Sequence, residues 1–275
     1  MRKAVSTLAC DKWSLEKTLE VCRACKIDAL EIRMGLHEWS RLDLSDEEYA
    51  WIGKKIAEAG LCVCDLGTSV AVKDGSEGNL KELERCAQIA QILNCRGLRV
   101  MLGSSRANRD DGRRVDPAGI IRWIKEADIL MAEYGTEIWI ETHNEFSSGH
   151  LLSHLISRSR AQNCRLVLDI MHTLEAGETA EETYSVVKPY LAHVHIKDGK
   201  PWSEEDPSRY HYTRLGEGTV DMAGTVRMLQ NGGYRGYYSL EWEGVWRKEL
   251  RGEGYEPEKA IASFSRLMDT LQQNS

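Results

Sequence analysis

The sequence has no unbroken apolar run of about 18 residues, the length a membrane-crossing helix needs, so a transmembrane helix is excluded. It has no excess of basic residues. Thirty-six Lys and Arg against 43 Asp and Glu leave a formal charge of −7, a poor balance for general nucleic-acid binding, which relies on neutralising phosphates. No second C-x-x-C accompanies Cys22 and Cys25, and both fall in a helical stretch, so they read as a buried helix face rather than half of a zinc or redox motif. The opening ten residues, Met1 to Cys10, place basic residues before a small-residue-Cys end, as a lipoprotein signal does. Their apolar part is too short for such a signal, and Asp11 and Lys12 follow at once. The segment is read as a first strand and the chain as cytoplasmic. The eight cysteines, with Cys62 and Cys64 as core or barrel-lining thiols, are then not expected to form disulfides. No glycine-rich phosphate turn follows that first strand, where the residues are Ser6-Thr7-Leu8-Ala9-Cys10-Asp11, which argues against a doubly wound dinucleotide fold. Gly216-Glu217-Gly218 is a lone GxG in a late loop and is weak evidence for nucleotide binding. No low-complexity linker or shift in composition divides the 275 residues, so one domain is expected over 1–275.

What the sequence does contain is a regular alternation. Short apolar strands begin near Lys3 (KAVSTL), Ile27 (IDALEIR), Leu61 (LCVCDLG), Gly97 (GLRVML), Thr136 (TEIWIETH), Arg165 (RLVLDI), Leu191 (LAHVHIKD) and Gly236 (GYYSLEWE). Amphipathic segments lie between them, over about 14–25, 45–59, 78–93, 117–134, 148–160, 180–188, 221–231 and 257–273. Asp116-Pro117 reads as a cap followed by proline at the first helical position, and Thr179 with Glu182 as a capping box. Eight strand–helix units in one chain of this length predict an α/β fold, a single (β/α)8 TIM barrel.

In such a barrel, strand side chains alternate between the helices and the interior. With Ile138 and Ile140 outward, Trp139, Glu141 and His143 point inward. Asp169 lies opposite Leu166 and Leu168; His193, His195 and Lys197 lie opposite Val194 and Ile196; Ser239, Glu241 and Glu243 lie opposite Leu240. These groups sit at the C-terminal strand ends, where barrel active sites form. Taken singly, Glu141 or Glu241 reads as a solvated strand-end charge, Asp169 as a helix cap and His195 as a core histidine. Four consecutive strands delivering them to one level change that reading. Buried like charges repel and lose hydration, and a divalent cation bound by Glu141, Asp169, His195 and Glu241 resolves the conflict. The ligand set suits Mn²⁺ or Mg²⁺, with Zn²⁺ and Co²⁺ as alternatives.

The same residues carry a resemblance. Ile140-Glu141-Thr-His143, Leu168-Asp169-Ile-Met-His172, His193-Val-His195-Ile-Lys197-Asp198, Leu215 to Asp221 and Ser239-Leu-Glu241 resemble the xylose-isomerase-like barrel superfamily, in its sugar phosphate isomerase/epimerase branch, which includes ketose 3-epimerases. Ala29-Leu30-Glu31-Ile32-Arg33 resembles the family's second strand. The resemblance implies one divalent metal on Glu141, Asp169, His195 and Glu241, Mn²⁺ being the first expectation. It implies that Glu141 and Glu241 act as the acid/base pair and that His172 bonds a substrate oxygen. The expected reaction is proton transfer on a small keto-sugar, polyol-derived ketone or sugar phosphate through a metal-stabilised enediolate.

Lys197 either assists an oxyanion or pairs with Asp198 or Glu241. His143 is a substrate contact or a supporting donor. Glu31, Arg33 and Arg99 also point inward, either to bind substrate hydroxyls or a phosphate or, the favoured reading, to pair with one another. His37 and Trp39 line the pocket or belong to a loop, and Trp242 to Trp246 reads as a surface stretch suited to a subunit contact or a pocket wall. The superfamily's apurinic endonucleases carry extra histidines after strands three and four. This chain has Asp65-Leu-Gly67 and Met101-Leu-Gly103 there, which argues against DNA repair. The rival activities are a dehydratase acting on a keto-polyol or dehydroshikimate-like compound and a non-catalytic sugar-binding barrel. The expected partner is a small carbohydrate, with no nucleic acid and no membrane, in a monomer or a homo-oligomer.

Overall fold

The computed structural model describes residues 1–76, 79–104, 111–203 and 210–273. Strands β1 (Arg2–Ser6), β2 (Ala29–Arg33), β3 (Cys62–Val72), β4 (Gly97–Leu102), β5 (Glu137–Glu141), β6 (Cys164–Asp169), β7 (Leu191–Ile196) and β10 (Tyr237–Leu240) close a parallel barrel in the order β1-β10-β7-β6-β5-β4-β3-β2. Helices α1 (Leu15–Ala24), α2 (Asp46–Glu58), α3 (Leu80–Ile92), α4 (Pro117–Tyr134), α5 (Gly149–Ser159), α7 (Ala180–Val187), α8 (Met222–Asn231) and α9 (Pro257–Gln273) follow the strands. This is the (β/α)8 barrel that the alternation predicts.

Local signals set the helix ends. Asp116 accepts from the Ala118 N–H ahead of Pro117, and Gly135, at φ 64°, ends the same helix in the left-handed conformation that glycine tolerates. The Thr179 and Glu182 side chains form the expected reciprocal box. Outward strand residues such as Leu66, Leu98, Val100, Ile138 and Ile140 join helix residues such as Leu83, Ile120 and Ile124 in one core between the two layers. Inside the barrel Trp139 fills the lower level. A Cβ on Gly97 would fall 2.4 Å from its ring, so the missing side chain makes that space.

Three features depart from the sequence reading. β3 runs on to Val72 after a register shift between Gly67 and Ala71, and the Thr68 hydroxyl bridges the break by donating to Arg99 O and accepting from Val70 N. A short helix, α6 (Ile170–Glu175), grows directly from Asp169. The long loop after β7 holds an antiparallel hairpin, β8 (Gly199–Pro201) with β9 (Tyr210–Tyr212). Its anchor is Asp198, whose carboxylate accepts from the N–H groups of Gly199, Gly216, Gly218 and Val220. A Cβ on Gly218 would lie 2.0 Å from Asp198 Oδ1, so Gly216-Glu217-Gly218 serves this anchor.

Smaller corrections follow the same logic. Cys62, at the open end of β3, is exposed, whereas Cys64 on the same strand is buried. Cys22 is buried in α1, while Cys25 lies just past its end and is half-buried. Trp242 is not a surface residue; it is buried and stacked near Tyr255, while Trp246 remains exposed. No described helix is long and apolar enough to cross a membrane.

Candidate metal centre

The C-terminal ends of four adjacent strands build the site. Glu141 is the last residue of β5, Asp169 the last of β6, His195 is on β7, and Glu241 follows β10. The pairing register sets Asp169 beside His195 and His195 beside Ser239. One ligand atom from each of Glu141, Asp169, His195 and Glu241 lies within 4.8 Å of all the others, and all four residues are buried. His195 Nδ1 is 3.0 Å from Glu141 Oε1, 3.3 Å from Glu241 Oε2 and 4.0 Å from Asp169 Oδ2. Asp169 divides its work between two oxygens. Oδ1 accepts from the Met171 and His172 N–H groups and caps α6, while Oδ2 turns to the cluster. The cap reading of Asp169 holds, and its second oxygen stays turned to the cluster.

Two cations sit among these acids. Arg99 Nη1 is 2.8 Å from Glu141 Oε2. Lys197 Nζ is 2.6 Å from Asp169 Oδ2 and 2.5 Å from Glu241 Oε2, and also contacts Glu243. Lys197 thus pairs with Glu241, one of its two expected partners, but not with Asp198, which is taken up by the loop anchor. Nor do Glu31, Arg33 and Arg99 pair with one another. Glu31 takes bonds from His193, His195 and Ser239. Arg33, at the very end of β2, instead bonds the carbonyls of Met34 and Gly67 and the Ser69 hydroxyl.

Burial alone would neutralise these groups, and their neighbours prevent it. Burial pushes Glu241 up, but Lys197 and His195 outweigh it and hold the carboxyl well below the usual range. Glu141 is held low by Arg99 and His195 against both burial and Glu241. His195 is held well above the ordinary histidine range because Glu241, Glu31 and Glu141 overcome burial, and Lys197 is likewise held up by Asp169, Glu241 and Glu243. Asp65, beside Glu31, goes the other way, raised by burial and by Glu31.

The donor set fits a divalent metal. Asp169 Oδ2 is buried and faces the cluster, where the Lys197 ammonium neutralises it in place of a metal. His195 Nε2 faces Glu31 Oε2 and Nδ1 faces Glu141 Oε1, each at 3.0 Å, and a carboxylate only accepts, so the metal-free ring carries a proton on both nitrogens; Nδ1 is the one turned to the three carboxylates, where a cation would take the place of its proton. Three carboxylate oxygens and one imidazole nitrogen can share one cation.

A second group of residues forms the wall around the cluster. His172 Nδ1 lies 2.7 Å from Thr142 O, and its ring meets His143 edge-on at 4.6 Å. Burial and then His172 push the His143 imidazole down. Tyr212, carried in by the hairpin, is buried with the Arg247 guanidinium 3.9 Å over its ring and Lys197 Nζ at 5.6 Å. Arg247 and Glu175 are not singled out by the sequence; Glu175 ends α6, and burial pushes its carboxyl up against the pull of His172 and Arg247. The four-residue spacing of Arg247 from Glu243, which it reaches at 3.0 Å, was the available signal for the first. His37 bonds Thr7 O and stacks on Trp39, as part of the loop after β2.

A family model described as the xylose isomerase-like TIM barrel matches residues 19–269. The chain belongs to that family. No curated protein matches it by sequence, but solved xylose isomerase-like structures superpose over nearly its full length. A D-psicose 3-epimerase solved in the presence of D-fructose has 16% identity and a TM-score of 0.76, covering 98% of each chain. The probable 3-DHS dehydratase AsbF of Bacillus anthracis, involved in petrobactin synthesis, has 16% identity and a TM-score of 0.76, covering 98% of this chain and 99% of its own. The IOLI protein with a binding zinc atom has 17% identity and a TM-score of 0.77, covering 100% and 99%. At these identities the likeness establishes the xylose isomerase-like fold.

Proposed function

We propose that the chain is a divalent-metal-dependent isomerase or epimerase of a small keto-sugar, polyol-derived ketone or sugar phosphate. The observation that carries this reading is the pair of buried glutamates, Glu141 and Glu241, 3.0 and 3.3 Å from the same imidazole nitrogen and delivered from β5 and the end of β10 with β6 and β7 between them. Glu141, Asp169, His195 and Glu241 hold the metal, with Mn²⁺ first among the candidates. A divalent ion bound there supplies the Lewis acidity that makes a carbon next to a carbonyl ionisable. Glu141 and Glu241, both kept ionised by their cationic neighbours, form the acid/base pair. One, as the carboxylate, takes the α-proton; the other, once it has taken up a proton from solvent, returns it to the opposite face for epimerisation or to the adjacent carbon for isomerisation. Lys197 stabilises the developing oxyanion, and His172, His143 and Arg33 bind substrate oxygens. The epimerase among the structural neighbours supports this reading.

A second reading, a dehydratase of a keto-polyol or dehydroshikimate-like substrate, is favoured by the edge-on contact between His143 and His172. Those groups supply a proton donor for a departing β-hydroxyl, which epimerisation does not need. Incubation of the Mn²⁺-supplemented protein in deuterated water with ketoses and keto-polyols separates the two. Isomers carrying solvent deuterium support the isomerase or epimerase, and an enone or diketone product supports the dehydratase. Ligand binding with neither product contradicts both.

A further inference from the structure

Below the ligand cluster the barrel holds a second polar tier with no access to solvent. Glu31, on β2, is 1% exposed, and His193, His195 and Ser239 are 0% exposed. A single oxygen, Glu31 Oε2, receives all three: His193 Nε2 at 3.1 Å, His195 Nε2 at 3.0 Å and Ser239 Oγ at 2.9 Å. Burying a carboxylate costs several kcal/mol unless its bonds compensate, and here three donors converge on one oxygen. Imidazole has two nitrogens that can bind a metal, and the hydrogen bond made by one decides which remains for the other role. In His195 the two point to opposite tiers, Nε2 to Glu31 and Nδ1 to Glu141, Asp169 and Glu241.

We propose that Glu31 is the positioning residue of the metal centre: by accepting a hydrogen bond from His195 Nε2–H it keeps that proton on Nε2 and fixes the ring's rotation, so that Nδ1 becomes the ligand atom. The proposal rests on the metal-site reading above. Glu31 makes no hydrogen bond or ion pair to Glu141, Asp169 or Glu241, and its link to the cluster runs through His195. Ser239 and His193 hold the same oxygen in place, and the stacking of His193 against Trp139, at 5.8 Å between ring centroids, keeps that imidazole from turning away. Outer partners of this kind typically set metal affinity by about 10–100-fold. Glu31, His193 and His195 also come close enough together to be ligands themselves, and a second ion on them is the competing explanation.

The test is calorimetric titration of the full-length, metal-stripped protein with Mn²⁺ alone, comparing the native chain with Glu31→Gln and recording the metal-free melting temperature of each. The expected result is one ion per native chain and about 10–100-fold weaker binding in Glu31→Gln, with a near-native melting temperature. Equal affinity in the two proteins, or two ions per native chain, overturns the assignment while leaving the four-ligand centre in place. No Mn²⁺ binding by the native chain overturns both. Should Glu31→Gln fail to fold, histidine-selective ¹⁵N spectra of the native protein loaded with Zn²⁺ decide the matter. A proton on His195 Nε2 with a coordinated Nδ1 supports the role of Glu31, and the reverse arrangement overturns it.

Discussion

The two halves of the barrel contribute differently to its centre. β5, β6, β7 and the end of β10 deliver every atom of the cluster that could hold a metal, and each of its residues lies within one position of a strand end. The first half delivers none of them. It supplies what steadies them: Arg99 from β4 on Glu141, and Glu31 from β2 under His195. The difference teaches that the acids of one half are kept charged and aimed by groups far away in sequence, across a barrel that must close before either half is complete. Lys197, which comes from the ligand-bearing half, is the exception, and it balances Asp169, Glu241 and Glu243 locally.

This division can be broken from either side. The largest effect is expected within the ligand-bearing half. Glu141→Gln and Glu241→Gln should each lower turnover by about 10²–10⁴-fold, the range for loss of a general acid or base, with a smaller change in KM, as read by solvent deuterium wash-in over a range of ketose concentrations up to saturation. Near-native turnover in either variant would remove that residue from the acid/base pair. Next comes the other half. Arg99→Met leaves Glu141 buried beside Glu241 without its partner, and removing one member of a buried pair costs about 3–5 kcal/mol. Denaturant unfolding of the metal-free protein should show a loss of that size, and a loss of only a few tenths would mean that the two halves are not coupled through this pair. The smallest effect concerns both halves at once. Mn²⁺ at 100 times its Kd should stabilise the chain by about 2.7 kcal/mol, raising the melting temperature, and chelation should reverse it. A melting curve indifferent to both treatments would speak against a tightly held ion.

The sequence reveals the ligand-bearing half better than its support. Period-two alternation is a local signal, and it is enough to turn Glu141, Asp169, His195 and Glu241 inward and to place them at one level. Strand and helix positions are legible for the same reason, since apolar periodicity and caps such as Asp116 and Thr179 act over a few residues. Partnerships across the barrel are not local. Alternation shows that Glu31, Arg33 and Arg99 face inward but not whom they meet, because twist and register decide that Arg99 reaches Glu141 while Arg33 folds back on the Gly67 carbonyl. The hairpin of Gly199–Pro201 and Tyr210–Tyr212 escapes notice because each strand is three residues long, too short for a pattern. Both halves of its anchor, Asp198 and the Leu215 to Asp221 stretch, are legible as pieces of the family resemblance, but the bonds that join them are not.

The most direct measurement of the central claim is anomalous diffraction from a crystal of the protein grown with Mn²⁺. The account predicts one strong peak among Glu141, Asp169, Glu241 and His195 Nδ1, at bonding distance from all four, with Lys197 Nζ moved off the Asp169 and Glu241 oxygens it now contacts. A manganese-bearing crystal with no peak there, and with Lys197 still joined to both carboxylates, would contradict it.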